Sequence, residues 1–544
     1  EWSGNSSVHI PLELPPGPGG LNLPLSLDYS SESVNGLRAT GDSSIDADQA
    51  SRFYYQAGIA GWGWELGGLG MVMWDHRYDD YGRVMLSFAG GSFELKNTAS
   101  GWQTEPQSFY RIEHGGSSGE EYNDPWYVYT PDGTRYKFGT GGGGNGDTWL
   151  VAPNCSTGEA RNQYLTEVRD AHGNRIEIKY ATETAKFNCT HPADPPKHPE
   201  PYASEEWYPR AIRPERINYY DRNTSGGGAS TTRIIFNYGS RSDTGIEGKG
   251  DYKQTYWSEF RLGYIDIRVR TKCDIDSTSP GHEDDCFDTA RSYWLDSTYS
   301  WWNQGAGKGL MLLANLTEKN GGGVGLPAWT FQYQNYGQGS DWLNHTLLRS
   351  ADNGQAGSIT YDYAATNNIW IDNCGANTSR YRMSVSDVSD GRGVITRTVY
   401  ESNNTLGRAW ARGPFPACQN HFIFQGFQHV TTKSIQVLNG AETLQRIVDT
   451  DYRQRNGSDT DPGRGKIELQ ITRNPNGTEL MRVDPAWSIV TDRGVNWVRQ
   501  DSETRTIGAK AQQTTYQYDA DHQGNANYGH PTLIREYSDG GSTL

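Results

Sequence analysis

The stretch Gly20-Leu-Asn-Leu-Pro-Leu-Ser-Leu-Asp-Tyr-Ser30 places Leu21, Leu23, Leu25, Leu27 and Tyr29 at strict alternation. Side chains two residues apart share one face of a β-strand, so this segment has a continuous apolar face that must cover or enter a core. Leu14-Pro-Pro-Gly-Pro-Gly-Gly20 precedes it and reads as a stiff connection, because proline fixes φ and removes a donor. Gly61-Trp-Gly-Trp-Glu-Leu66 follows. Its glycines let backbones approach beneath two indoles, which predicts a tight corner over a core.

Hairpins follow from about residue 84. Trp126-Tyr-Val-Tyr129 and Arg135-Tyr-Lys-Phe138 flank Pro131-Asp-Gly133, and Glu167 to Tyr180 turns over Asp170 to Asn174 with Ile176, Ile178 and Tyr180 facing one way. Strands ending in tyrosine recur at Tyr180, Tyr238, Tyr333, Tyr363, Tyr400 and Tyr518. Their uneven spacing argues against a propeller or solenoid and for one growing antiparallel sheet with hairpins of varying length. Residues 190–215, rich in proline, and 221–230, with Gly226-Gly-Gly228, read as surface loops. No segment sustains helical periodicity, and no linker divides the chain. The expected fold class is all-β, a large curved antiparallel sheet of hairpins with little helix.

Composition agrees. The apolar fraction of 34% rises to about 46% with the 65 glycines, enough for a sizeable core. Much of that core would be aromatic, with 33 Tyr, 18 Trp and 14 Phe, residue types suited to a pleated surface. The net charge of −16 repels phosphate backbones and anionic lipid, which disfavours nucleic acid as a partner. No window approaches the roughly 18 apolar residues of a membrane span. The opening Glu1-Trp-Ser-Gly4 has neither initiator Met nor signal peptide and reads as a mature or truncated start.

Cys155, Cys189, Cys273, Cys286, Cys374 and Cys418 lack C-x-x-C spacing and suit disulfides, with buried free thiols as the alternative. Neighbourhood would pair 155 with 189, 273 with 286 and 374 with 418, though six cysteines allow fifteen connectivities. Ten N-x-S/T sequons begin at Asn5, Asn154, Asn188, Asn223, Asn315, Asn344, Asn377, Asn403, Asn456 and Asn476. Chance supplies some of these, but with the cysteines they favour an extracellular or cell-surface, glycosylated chain.

The motifs resemble the Rhs/YD-repeat family. Ile10-Pro-Leu-Glu-Leu-Pro-Pro-Gly17, the alternating strand and Gly61–Leu66 are similar, in that order, to the virulence-plasmid B-type module that begins toxin-complex B subunits. Asp132-Gly-Thr-Arg-Tyr-Lys-Phe-Gly139, Asp170-Ala-His-Gly-Asn-Arg-Ile176, Gly426-Phe-Gln-His-Val430 and Tyr516-Gln-Tyr-Asp519 resemble Rhs strands. The resemblance implies a B-like region over 1–110 and a β-shell region over 111–544. In the family such strands spiral into a hollow shell around a toxic C-terminal segment, and related teneurins display the shell on cell surfaces. The family's aspartyl protease signature is not found; Asp461-Pro-Gly-Arg-Gly465 reads as a turn. Tyr537-Ser-Asp-Gly-Gly-Ser-Thr-Leu544 ends the chain just after a YD-like hairpin, so the shell is expected to be incomplete here.

Other chemistry is thin. Asp274, Asp276, Glu283, Asp284 and Asp285 lie within Cys273–Cys286 and form a weak calcium candidate, but the spacing is not that of an EF-hand and a solvated acidic loop is the plainer reading. No H-E-x-x-H or G-x-S-x-G motif appears, and Gly141-Gly-Gly-Gly144 lacks the Lys and Ser/Thr of a phosphate loop. Trp301-Trp302 could stack on sugars, although aromatics in sheets are more often core. No catalytic residue, cofactor or metal is expected. The leading expectation is a scaffold that encloses or presents a toxin or other polypeptide. The alternative is a surface adhesin or filament protein binding glycans or neighbouring copies, and a polysaccharide-active enzyme is the remotest reading.

Overall fold

A computed structural model describes residues 3–34, 38–39, 54–55, 57–75, 83–115, 124–140, 149–151, 160–191, 202–222, 230–243, 258–271, 286–300, 310–336, 346–366, 370–371, 376–377, 380–402, 406–411, 421–453, 463, 465–518 and 531–538. Strand dominates them, and a 3-10 turn stands at Pro18–Gly20. The main feature is a 27-stranded sheet. Its first strands, Met71–Asp75, Arg83–Phe88, Gly91–Thr98 and Gly101–Glu105, pair in succession. Arg111–His114, Trp126–Tyr129 and Arg135–Phe138 do the same. Both groups meet on Ala160–Arg169, which pairs through Asn162–Tyr164 with Met71–Met73 and through Leu165–Arg169 with Arg135–Phe138. From Arg175 to Tyr537 the sheet then grows by antiparallel neighbours, stepping over only the small pairs Trp370–Ile371 with Ala376–Asn377 and Leu406–Ala411 with His421–Phe427. Strand twist obliges a sheet of this many strands to curl.

Both expected hairpins form, with Trp126 opposite Phe138 and Glu167 opposite Glu177. Gly133, at φ 85°, supplies the left-handed residue of the first turn. The loop expected over 190–215 is corrected: residues 202–215 belong to the 19-residue strand Tyr202–Tyr220, paired along its length with Arg175–His191. Proline is compatible with strand here because Pro209 and Pro214 both stand at register shifts, where the ladder does not require their missing N–H. Residues 223–229 lie outside the described residues.

Five of the six recurring tyrosines share one role. At several register slips one strand carries an extra residue, and an aromatic side chain that follows on the next strand donates a hydrogen bond to the carbonyl just before that extra residue. Tyr180 binds Leu165 O at 2.7 Å, beside the extra Thr166. Tyr238 binds Pro214 O at 2.5 Å beside Glu215, Tyr333 binds Leu313 O at 2.9 Å beside Ala314, and Tyr363 binds Leu348 O at 2.9 Å beside Arg349. Trp487 Nε1 binds Ile467 O at 2.9 Å and Tyr518 binds Gln500 O at 2.9 Å in the same relation. A bulge leaves a carbonyl off the ladder, and buried carbonyls need partners, so each aromatic makes its bulge tolerable. Tyr363→Phe is expected to cost about 1–2 kcal/mol, since it leaves Leu348 O short of a partner and Ser6 Oγ without its 2.5 Å contact. Tyr537→Phe, with no such latch among the described bonds, should be near neutral; equal urea midpoints for the two variants would contradict the latch.

The main core lies between this sheet and the chain's own beginning. Ser7–Pro11, Ser26–Ser30 and Trp64–Gly67 form a separate three-stranded antiparallel sheet. The alternation over Leu21–Tyr29 holds as burial, with Leu23, Leu25, Leu27 and Tyr29 all buried. It holds only partly as strand, because Pro24 cannot donate and regular pairing begins at Ser26. The Gly61–Leu66 corner forms as expected, with Trp62 and Trp64 buried and Gly61 at φ 130° pressed against Leu313.

Candidate functional site

The register of the long sheet divides its side chains into two faces of different chemistry. One face carries the N-terminal segment. Ile176, Tyr219, Ile267, Tyr293, Leu316, Leu348, Tyr361 and Met383 are buried in the cluster that holds Leu23, Leu27 and Trp62. The sheet's hydroxyls grip the segment's backbone: Glu13 N donates to the Tyr293 hydroxyl at 2.9 Å, Leu23 N to the Tyr219 hydroxyl at 3.4 Å, and the Tyr361 hydroxyl donates to Ser7 O at 2.8 Å. In the other sense, the Tyr29 hydroxyl accepts from Leu348 N at 2.9 Å, while Trp62 Nε1 donates to Thr346 O at 3.1 Å and Trp64 Nε1 to the Tyr333 hydroxyl at 2.7 Å. Burial pushes the Tyr219 phenol up to about 12 and raises those of Tyr29, Tyr333, Tyr361 and Tyr363 further, since phenolate is disfavoured away from water.

Past Met383 the same face changes character. Tyr361 lies opposite Ser386, Ser386 opposite Thr398, Thr398 opposite Ser434 and Tyr400 opposite Thr432. The next steps place Val430 opposite Thr450, Val448 opposite Thr472, and Thr450 opposite Gln470. Hydroxyls and amides thus become frequent among apolar residues such as Val388, Val430 and Val448, and Arg446, opposite Ser434, is charged. The opposite face of these strands mixes ion pairs with apolar residues, among them Val385, Ile395, Val399, Ile435 and Val437. Arg397 binds Asp387 at 2.8 Å, Lys433 binds Glu401 at 2.6 Å, and Arg482 binds Asp484 at 2.8 Å.

On this opposite face, His429 Nδ1 lies 2.6 Å from Asp451 and Nε2 lies 3.2 Å from Thr431 Oγ1, which donates to Asp449 at 2.6 Å; Arg473 binds Asp449 from the third strand. A concavity of about 460 Å³ lies over them, floored by Ile447, Leu469 and Ile471. The order Thr–His–Asp has the outline of a nucleophile, base and orienting acid, but the Thr431 proton goes to Asp449 and not to His429. The network ties three strands together.

A clasp joins distant parts of the sheet. Asn496 N and Nδ2 donate to Glu105 Oε1, the latter at 2.5 Å, and Gln107 N donates to Asn496 O at 2.9 Å. Phe109 meets the Trp497 ring edge-on at 5.0 Å, and Gly494 lies against Thr98.

Most of the candidate site residues named from the sequence lie outside the described residues. Asp274, Asp276, Glu283, Asp284, Asp285, Trp301, Trp302 and Asp461 are outside, as are Cys155, Cys273, Cys374 and Cys418. Cys286 is buried and disulfide-bonded. Cys189 lies on strand Arg175–His191. Gly463 and Gly465 stand in a turn. Among the sequons, Asn476 is exposed in a turn, Asn315 lies within a paired strand, and Asn5 Oδ1 accepts from Ser31 Oγ at 2.9 Å. Asn188 and Asn377 are on strands; Asn154, Asn223, Asn344, Asn403 and Asn456 lie outside. Among the described residues no three His, Cys, Asp or Glu side chains gather as a metal would require.

No family model matches the chain, and no curated protein matches it. Solved structures do. The Photorhabdus luminescens Tc holotoxin pore matches with a TM-score of 0.63 at 9% identity, covering 100% of this chain and 43% of that one. TcdB2-TccC3 with Cdc42 matches at 0.61 and 9%, over 99% and 43%. TcdB2-TccC3 without its hypervariable C-terminal region matches at 0.61 and 9%, over 98% and 43%. The chain therefore spans less than half the length of these toxin-complex chains, and what it shares with them is the fold of their large β-sheet.

Proposed function

We propose that this chain is a wall segment of a toxin-related β-shell, found outside the cell or at its surface, that encloses or presents a partner polypeptide and acts as a scaffold without catalysis. The observation that carries this reading is the divided face of the sheet. Up to Met383 it is largely apolar and carries the chain's own N-terminal segment; beyond, serine, threonine and glutamine are frequent on the same face, beside Val388, Val430, Val448 and the charged Arg446. A solid globular protein would repeat the apolar lining throughout, because its sheets must bury that face. A wall facing an enclosed partner need not.

Material purified from the native source and imaged by electron microscopy tests this. Hollow particles holding a polypeptide that survives protease until the particle is unfolded are expected. Solid particles, or filaments with no protected polypeptide, would overturn the proposal and bring forward the adhesin reading.

A further inference from the structure

We propose that the clasp is sealed by an amide bond between the side chains of Lys96 and Asn496, formed by the folded chain itself with Glu105 as the base. The three residues come from three strands: Lys96 from Gly91–Thr98, Glu105 from Gly101–Glu105 and Asn496 from Val495–Ile507. Lys96 stands opposite Gln103 and Glu105 opposite Glu94, so the lysine and Glu105 are diagonal neighbours on one face of their hairpin. Glu105 Oε2 pairs with Lys96 Nζ. Its other oxygen, Oε1, accepts from Asn496 Nδ2 at 2.5 Å and from Asn496 N at 3.3 Å.

An ion pair accounts for the lysine and the carboxylate, but not for the carboxamide seated on the same carboxylate. One group thus holds an amine by one oxygen and an amide nitrogen by the other, which is the order that transamidation needs: nucleophile, proton carrier, leaving group. Asn496 is also fixed in place. Glu105 holds its N and Nδ2, Gln107 N donates to its carbonyl at 2.9 Å, and Phe109 meets the adjoining Trp497 edge-on at 5.0 Å. Holding the reacting groups together in advance removes most of the entropic barrier to joining them. The Glu105 side chain is 12% exposed and that of Lys96 35%, so the base sits inside the clasp and the amine at its more open end.

The step balances without another reactant. Lys96 enters as the free amine, its ammonium proton having passed to water. The Nζ lone pair forms a bond to Asn496 Cγ while Glu105 takes a proton from Nζ. The bond from Cγ to Nδ2 then breaks, Nδ2 receives the proton from Glu105, and ammonia leaves and is protonated by water. One carbon–nitrogen bond replaces another, and nothing is oxidised or reduced. The product fastens residues 96 and 496 permanently, where hydrogen bonds alone would fasten them reversibly.

Peptide mapping by mass spectrometry of the full chain purified from its native source, with disulfides reduced, tests the proposal. The expected species is a peptide uncut by trypsin after Lys96, joined to the peptide containing Asn496, with a summed mass short by one ammonia. Recovery of both peptides unlinked would overturn the proposal. Glu105→Gln keeps the shape and removes the base, and should leave the two peptides unlinked; complete linkage in that variant would overturn the role of Glu105. Lys96→Arg keeps the positive charge beside Glu105 and should also abolish the link. Protection of the Gln107 amide from hydrogen exchange reports whether the clasp still closes in each variant. A closed but unlinked clasp in Glu105→Gln is the expected result.

Discussion

Trp64→Ala is expected to destabilise the protein by about 3–5 kcal/mol, the range for removing a buried large aromatic side chain. Trp64 is 1% exposed, packs on Phe331 at 4.7 Å and Tyr29 at 5.6 Å between ring centres, and donates to the Tyr333 hydroxyl. Truncation would open a cavity and also loosen the tyrosine that latches the Leu313 carbonyl. The loss should appear as a lower urea midpoint and as early proteolysis of the N-terminal segment. Trp207→Ala provides the contrast, because Trp207 is 64% exposed and its removal should stay within about 0.5 kcal/mol. Equal midpoints for the two would show that the segment does not brace the sheet.

The second large effect is alkaline unfolding. Tyr29, Tyr180, Tyr219, Tyr238, Tyr333, Tyr361 and Tyr363 all have phenols raised first by burial. An unfolded tyrosine ionises near pH 10, so above that the unfolded chain gives up protons that the folded chain keeps. The stabilisation is therefore complete below about pH 10 and is lost as pH climbs towards the folded values, by up to about 1.4 kcal/mol per tyrosine per pH unit. With seven such groups, a steep rise of tyrosinate absorbance coincident with loss of the strand circular-dichroism signal is expected between about pH 10 and 12. A shallow titration near pH 10 with the strand signal unchanged would mean that these phenols are already open to water.

The sheet was legible because strand periodicity is local. Alternation at Leu21–Tyr29, turn chemistry at Pro131–Gly133 and Asp170–Asn174, and the irregular tyrosine spacing each report on neighbours within a few residues. The strand Tyr202–Tyr220 was missed because a proline at a bulge and a proline in a loop look alike until the partner strand's register is known. The tyrosines drew attention as strand ends, yet their role depends on a slip in a different strand. The hydroxyl face was harder still. Thr396-Arg-Thr398 and Thr432-Lys-Ser434 do alternate neutral with charged residues, but only the pairing of Thr398 with Ser434 and of Tyr400 with Thr432 puts the neutral members side by side.

The bonds from Glu105 to Asn496 join residues 391 apart in the chain. A ribosome adding roughly 5–20 residues per second needs on the order of 20–80 s to cover that interval. Throughout it, hairpins after Arg175 can form on their immediate predecessors, while the loop around Glu105 waits without its partner. Synthesis thus imposes a delay between pairing the strands and fastening the early part of the sheet to the late one.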